Sequence, residues 1–155
     1  MAGEIRALTV RQPNTGALVW FGKNPENRTR PISHRGLVAI HAGLYEPDPG
    51  DYLAVRDTFN RARPAGITLE WDDQRRTRGA VLGVAELAGC HHASECWDPA
   101  SRNWACSPWA FTGEWWHWQF TDPRPLACPV PCKGALGLWR LPADVEKLVR
   151  DQLEG

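Results

Sequence analysis

Three short apolar segments with turn residues at their ends constrain the fold of this chain most. They read IRALTVRQP, RGLVAIHAG and GAVLGVAELAGC, and each alternates or stays apolar over the length of one strand. HWQF and GALGLWRL supply the last strands. The strands outnumber the helices and are separated by loops rather than by regular crossover helices. This pattern predicts an α+β fold built on a mixed, barrel-like sheet.

Three short helices are predicted among and after these strands. Asn14 or Thr15 caps the first helix, and Gly22 is placed to stop it. Asp51 caps the second helix, over residues 52–61. The third covers the C-terminal PADVEKLVRDQL, in which apolar residues recur at helical spacing.

Length and composition indicate one globular domain over residues 1–155, with a Cys/His/Trp-rich insert at about 90–116. Eighteen basic and eighteen acidic residues cancel, which argues against a partner such as long duplex DNA. A small ligand, a nucleotide or a short single strand in a locally basic cleft remains compatible with this balance. The N-terminus shows no long apolar run, so we expect a cytoplasmic protein without a membrane span.

Six blocks occur in a fixed order: RALTVRQP, GKNPENR, HRGLVAIHAG, GAVLGVAEL, DPRPL and PCKGALGLW. From about residue 6 to residue 139 they resemble the ASCH domain family. The G-x-K-x-x-E-x-R motif of that family falls on Gly22, Lys23, Glu26 and Arg28. The resemblance implies a PUA-like fold, which is a small β-barrel flanked by helices. It also implies a protein that binds RNA or a modified nucleotide.

Some members of the family are reported as hydrolases of acylated cytidine and others as ribonucleases, so a hydrolase is the alternative. Glu26 stands at the position that resembles a nucleophilic Thr in the cytidine amidohydrolase branch, and a carboxylate cannot replace a hydroxyl nucleophile directly. Many relatives also have Trp at the position of Asn14. The sequence lacks an obvious Ser-His-Asp or Cys-His arrangement and a Gly-rich phosphate loop. We therefore place binding first and catalysis second.

The charges that follow the first helix form the main candidate site. In an extended strand Glu26, Arg28 and Arg30 share a face. An Arg fork can bind phosphate or a base edge, and Glu26 can accept a hydrogen bond from an exocyclic amine. Lys23 either neutralises Glu26 or acts as a base if it is buried. The alternative is an exposed ion-pair cluster that holds the turn. Because an exposed Lys contributes little to folding, we expect loss of Lys23 to abolish ligand binding or turnover and to change stability little.

Further candidates extend this cleft. Glu86 lies on an apolar strand face and is predicted at the floor of the cleft as a general acid or base, with Lys23 and Glu26; the alternative is a strand-end carboxylate in solvent. The remaining predicted ligand-binding residues, beside Arg28, are His34, Arg35, His41 and Lys133. For His41 a satisfied core histidine is the alternative, and for Lys133 a solvated turn residue.

Tryptophan is abundant in the insert and beside it. Six of the nine Trp residues lie close together in sequence, namely Trp97, Trp104, Trp109, Trp115, Trp116 and Trp118. They can serve as stacking platforms for bases or as the core of a small insert. We favour packing, because no known base-stacking motif is present. A protein-interaction module that uses this insert is the third function class.

The segment CHHASECWDPASRNWAC predicts a structural zinc site. Cys90, Cys96 and Cys106, with His91 or His92, supply three thiols and one imidazole. The two adjacent His residues point in different directions in a strand, so at most one of them binds beside Cys90. The alternative is a set of unpaired thiols in a loop that tryptophans stabilise.

Overall fold

A curled six-stranded sheet is the frame of the fold. The computed structural model describes residues 3–104 and 106–155, without the side chains of Asn103 and Trp104. The predicted domain and insert thus include residues 1, 2 and 105, which lie outside this description. The described strands are β1 (Arg6–Val10), β2 (Pro25–Arg28), β3 (Gly36–Ala42), β4 (Ala80–His92), β5 (Trp97–Asp98), β6 (Asn103–Trp104), β7 (Trp116–Pro131) and β8 (Leu138–Arg140). The described α-helices are α1 (Asn14–Trp20), α2 (Pro49–Ala62) and α3 (Ala143–Glu154).

The sheet is mixed, with the strand order β2-β7-β4-β3-β1-β8. β1 and β3 run parallel, and the other neighbouring strands are antiparallel. β5 and β6 form a separate two-stranded hairpin inside the insert. The predicted α+β class with a mixed, barrel-like sheet and short helices is confirmed, and the sheet is curled into a half-barrel.

The curl of the sheet comes from its two longest strands, β4 and β7. Their register shifts three times along the pairing, and such bulges bend a strand and increase its twist. α1 packs against β3, β4 and β7. Gly83 allows this close approach, because a Cβ there would lie 2.8 Å from Val19 Cγ1 and 2.9 Å from the Arg124 carbonyl oxygen.

Alternation along β1 divides the apolar interior into two parts. Ala7 belongs to the core that α3 covers with Val145 and Val149. Leu8 and Val10 point the other way, into the core that contains residues of α1. Each face of the sheet is therefore covered by a helix, and the apolar residues of the last helix pack inward as their helical spacing predicts.

Two predicted helix caps are wrong. Neither Asn14 nor Thr15 caps α1 with its side chain; the Thr15 hydroxyl donates instead to the Val10 carbonyl oxygen at 2.6 Å. α2 begins at Pro49 with Asp48 as its N-cap, and Asp51 completes the capping box from inside the helix.

Gly22 does end the first helix, with φ of 81°. Among the described residues, no helix is both long enough and apolar enough to cross a bilayer.

The close approach of α1 to β4 predicts different effects for two Gly→Ala changes in the same strand. Gly83→Ala should lower the free energy of unfolding by about 1–3 kcal/mol, because the Arg124 backbone cannot yield easily. Gly89→Ala is the matched control, since its Cβ meets the movable Gln119 Oε1 atom at 2.7 Å. It should stay within about 1 kcal/mol of wild type. Urea denaturation measures both, and equal losses would contradict this account of the packing.

Candidate functional site

Two adjoining cavities form a cleft beside the end of α1. Their volumes are about 670 Å³ and about 610 Å³. Both are lined by Arg11, Asn14, Lys23, Phe111 and Trp115. Cavities of this size are typical of small-molecule sites. We call the two cavities together the cleft.

Lys23 lies where the two cavities meet, and it is buried. The chain leaves α1 through Gly22, and the Lys23 backbone N–H donates to the Ala17 carbonyl oxygen at 3.1 Å. The Lys23 side chain, 4 % exposed, donates from Nζ to the Pro25 carbonyl oxygen at 2.7 Å and lies 3.9 Å from Glu26 Oε1. The expectation of an exposed Lys23 is therefore wrong, because its side chain is packed inside the protein.

Burial controls the protonation of Lys23. It lowers the pKa of the ammonium group below its ordinary value of 10.5, since the charged form loses hydration. The Glu26 carboxylate opposes this by raising the pKa, and the Arg28 guanidinium lowers it further. A lysine with a lowered pKa can give up its proton more readily than an exposed one.

Glu26 and Arg28 form one wall of the cleft. They share a face of β2, as alternation predicts, and the Arg28 Nη2 atom lies 2.9 Å from Glu26 Oε2. Arg28 also donates to the Thr9 carbonyl oxygen at 2.8 Å, which attaches this wall to β1. Arg30 follows the end of β2, is exposed, and does not line either cavity.

An aromatic wall from the insert faces these charges. Phe111 is 54 % exposed, and its ring meets the Trp115 ring edge-on at 5.4 Å. Asn27 holds this segment on β2: its Nδ2 donates to the Trp109 carbonyl oxygen at 3.0 Å, and its Oδ1 accepts from the Phe111 N–H at 2.9 Å. Sequence reasoning missed Asn27 and Phe111, although Asn27 lies inside the charged motif.

The tryptophans divide between packing and lining. Trp109 and Trp118 are buried, and Trp116 packs beside the core of α1, as the packing interpretation expects. Trp115 lines the cleft. Trp97 is 44 % exposed. The side chain of Trp104 lies outside the description.

His41 lies behind the cleft in a buried hydrogen-bonded position. Its Nε2 is 2.8 Å from the Cys132 carbonyl oxygen, which can only accept, so Nε2 carries the proton. Burial lowers the pKa of His41, which favours the neutral ring. Nδ1 can then accept from the Thr9 hydroxyl at 3.2 Å, and Thr9 lines the cleft. Sequence reasoning did not identify this hydroxyl–imidazole pair.

Four other predicted site residues are not brought to the cleft. Glu86 lies on the face of β4 opposite Ala85 and Leu87, which point into the core that contains residues of α1. It is exposed and lines neither cavity. Its predicted place at the floor is therefore wrong. Lys133 and Arg35 are exposed and His34 is half-buried; none of them lines either cavity.

A separate cluster of two imidazoles and two thiols lies where the insert joins the sheet. It contains His91, Cys96, Cys106 and His117, with one nitrogen or sulfur atom of each within 4.8 Å of the others. His91 Nε2 lies 3.0 Å from Cys96 Sγ and 3.1 Å from His117 Nδ1. Cys106 Sγ lies 3.3 Å from His91 Nε2. This cluster can hold a metal ion.

Electrostatics in the cluster favour neutral groups when no cation is bound. Burial and the neighbouring Cys106 raise the pKa of the Cys96 thiol to about 12. Burial also lowers the pKa of His117. A cation would reverse both preferences, because it stabilises thiolate and unprotonated imidazole.

The cluster differs from the predicted ligand set at two positions. Cys90 lies outside it and packs beside the core of α1. His92 also lies outside it: its Nδ1 accepts from the Ser94 N–H at 3.1 Å and so caps the short 3-10 helix Ala93–Cys96. His117 takes part instead. Its only sequence signal is a histidine in WWHWQF, beyond the Cys/His segment.

Comparisons with known proteins identify the fold. The crystal structure of ASCH from Zymomonas mobilis is similar to this chain with a TM-score of 0.53 and 14% sequence identity, over 96% of this chain and 94% of that one. A tyrosine-to-phenylalanine variant of the Zymomonas mobilis protein has a TM-score of 0.51 at 14% identity, over 96% of this chain and 98% of that one. No family model matches the sequence, and a search of curated proteins finds no match. The chain has the ASCH domain fold, as its sequence motifs predict.

The burial of Lys23 predicts a pH-dependent contribution to stability. Between the lowered pKa of the folded state and 10.5, the unfolded chain binds more protons at this residue than the folded chain does. Wild-type stability relative to Lys23→Met should therefore rise with pH through this window. Urea denaturation of both proteins at several pH values measures the difference.

Lys147→Met is the control, because its expected effect on the pH dependence of stability has the opposite direction. The exposed Lys147 is paired with Asp151, which raises its pKa. Wild-type stability relative to this variant should fall as pH rises. A Lys23→Met difference that stays constant across the window would show that burial does not shift Lys23.

Proposed function

We propose that the cleft binds single-stranded RNA or a modified nucleotide. The observation that carries this proposal is the arrangement around Lys23: guanidinium groups and an exposed aromatic wall line one continuous depression. Phosphate and base are the two parts of a nucleotide, and these two kinds of side chain recognise them.

The phosphate side of the cleft is supplied by arginines from three elements. Arg11 follows β1, Arg28 ends β2, and Arg61 lies in the last turn of α2. Arg61 and Arg11 both line the larger cavity. Their separate origins spread positive charge along the cleft, although the net charge of the chain is zero. A short single strand of nucleic acid or a nucleotide suits such a local charge better than a long duplex does.

The base side is supplied by Phe111 and Trp115. Phe111 already presents more than half of its surface to solvent, so a base can stack on it without unfolding of the insert. Glu26 lies in the smaller cavity with the Arg28 fork beside it. Its carboxylate can accept a hydrogen bond from the exocyclic amine of cytosine.

The proposal predicts that Phe111→Ala weakens binding of a short single-stranded RNA roughly tenfold, because base–aromatic stacking is lost. Fluorescence anisotropy with labelled eight-nucleotide RNA, and competition by free nucleosides and nucleotides, measures the effect. Equal affinity of wild type and Phe111→Ala for every ligand tried would contradict a binding role for the aromatic wall.

A matched pair on α2 tests the phosphate contacts. Arg61→Ala should weaken RNA binding and reduce its salt dependence by about one charge. Arg56→Ala removes the same charge from the same helix but outside both cavities, where Arg56 pairs with Asp57, and it should leave binding unchanged. Equal effects of the two variants would indicate nonspecific attraction rather than a bound phosphate in the cleft.

A hydrolase is the second candidate, and the Thr9–His41 pair favours it. A hydroxyl that donates to a neutral, oriented imidazole is the arrangement of an activated nucleophile. Acylated cytidine and RNA are the substrates to screen. Turnover that is lost in Thr9→Val and retained in Thr9→Ser would support this role, and absence of turnover with wild type would remove it.

A further inference from the structure

We propose that His91, Cys96, Cys106 and His117 bind one structural zinc ion. Two imidazoles and two thiols are a donor set that zinc prefers in four-coordinate structural sites. The donors come from the end of β4, the 3-10 helix Ala93–Cys96, the loop after β6, and β7. Four side chains from four separate segments therefore converge on one point.

The separations of the donor atoms fit a tetrahedral ion. Zinc bonds of about 2.0–2.1 Å to nitrogen and about 2.3 Å to sulfur place the ligand atoms roughly 3.3–3.8 Å apart. The two ring nitrogens are 3.1 Å apart, and Cys96 Sγ is 3.4 Å from His117 Nδ1. Some separations are thus slightly short and others extend up to 4.8 Å, so zinc binding needs a modest adjustment of side chains that already face one another.

The His117 ring is held in the orientation that ligation requires. Its Nε2 is 2.7 Å from the Phe111 carbonyl oxygen, which accepts only, so Nε2 carries the ring proton. Nδ1 is left with its lone pair directed at the cluster. Backbone carbonyls commonly fix metal-bound histidines in this way.

The cluster fits a structural zinc site that an ion can reach from solvent. Four protein ligands complete a tetrahedral shell and leave no position for substrate. A surface depression of about 440 Å³ is lined by His91, Cys96 and Cys106, so an ion or a chelator can reach the cluster from solvent.

Metal content tests the proposal. The full chain, purified without chelator from cells grown with zinc, should contain one equivalent by elemental analysis. Its melting temperature should fall by on the order of 5 °C or more in strong chelator and recover when zinc is restored. Absence of zinc, with a Cys96–Cys106 disulfide detected by mass, would overturn the proposal.

Matched variants test the ligand set. His117→Ala and Cys106→Ser should each lose the ion, whereas Cys90→Ser should keep it, because Cys90 lies outside the cluster. His117→Cys preserves four ligands and should retain zinc even if His117→Ala does not fold. With cobalt in place of zinc, it should show stronger thiolate-to-metal absorption than wild type. Loss of zinc in Cys90→Ser but not in His117→Ala would overturn this set.

The ion also affects the cleft, and this part rests on the proposed RNA binding. His117 holds the Phe111 carbonyl oxygen, and Phe111 forms the aromatic wall. Chelation should therefore increase amide hydrogen exchange in residues 107–115 and weaken RNA binding at least threefold. Zinc content and exchange are measured without RNA, so failure of RNA binding leaves the test of the metal site intact.

Discussion

The antiparallel pairing of β4 with β7 is the constraint on which the rest of the structure depends. Its bulges curl the sheet around α1. The insert connects the C-terminal end of β4 to the N-terminal end of β7. The same pairing sets His91 opposite His117, while β2 pairs on the other side of β7 with Asn27 opposite His117. One row across three strands thus contains two residues of the His/Cys cluster and the residue that holds the insert.

That row connects the cluster to the cleft. Asn27 bonds to the backbone of Trp109 and Phe111, and His117 bonds to the Phe111 carbonyl oxygen. Both polar groups of the Phe111 backbone are therefore held by neighbouring strands of one sheet. The aromatic side chain can remain exposed because its backbone, rather than its ring, fixes the position of the segment. An exposed ring on a fixed backbone is preorganised for stacking, which reduces the ordering cost of binding.

Much of the fold can be predicted from the sequence, because alternation directly reports which side chains a strand buries. Leu8 and Val10 show this in β1, and the left-handed backbone of Gly22 fits its predicted place at the helix end. The extent of β7 could not be predicted, since its prolines indicate a loop. They are tolerated because β2 pairs only with residues 116–119, which leaves the rest of that edge of β7 without a strand partner in the described sheet.

The candidate site was less predictable, because it depends on register and on contacts between distant segments. The motif placed Glu26 and Arg28 together, as local strand geometry requires. It could not show that Lys23 is buried by residues far along the chain, including Trp109, whose ring centroid is 5.8 Å from Nζ. Glu86 lies on the face opposite Ala85 and Leu87, as alternation predicts, but the sequence does not show that this face lies away from the cleft. His117 became visible as a candidate ligand only when the register of β4 and β7 was known.

The insert connects the His/Cys cluster with the cleft in one small domain. The described residues between 93 and 115 contain only a short 3-10 helix and a hairpin of two two-residue strands, and among their described side chains only Ala93 and Trp109 are buried hydrophobics. Such a segment buries too little apolar surface to offset its loss of conformational entropy. Its order must come from polar anchors, which include the Asn27 bonds and the His/Cys cluster. Because the Asn27 bonds fix only the part that carries Trp109 and Phe111, a bound ion at Cys96 and Cys106 would supply the anchor for the remainder.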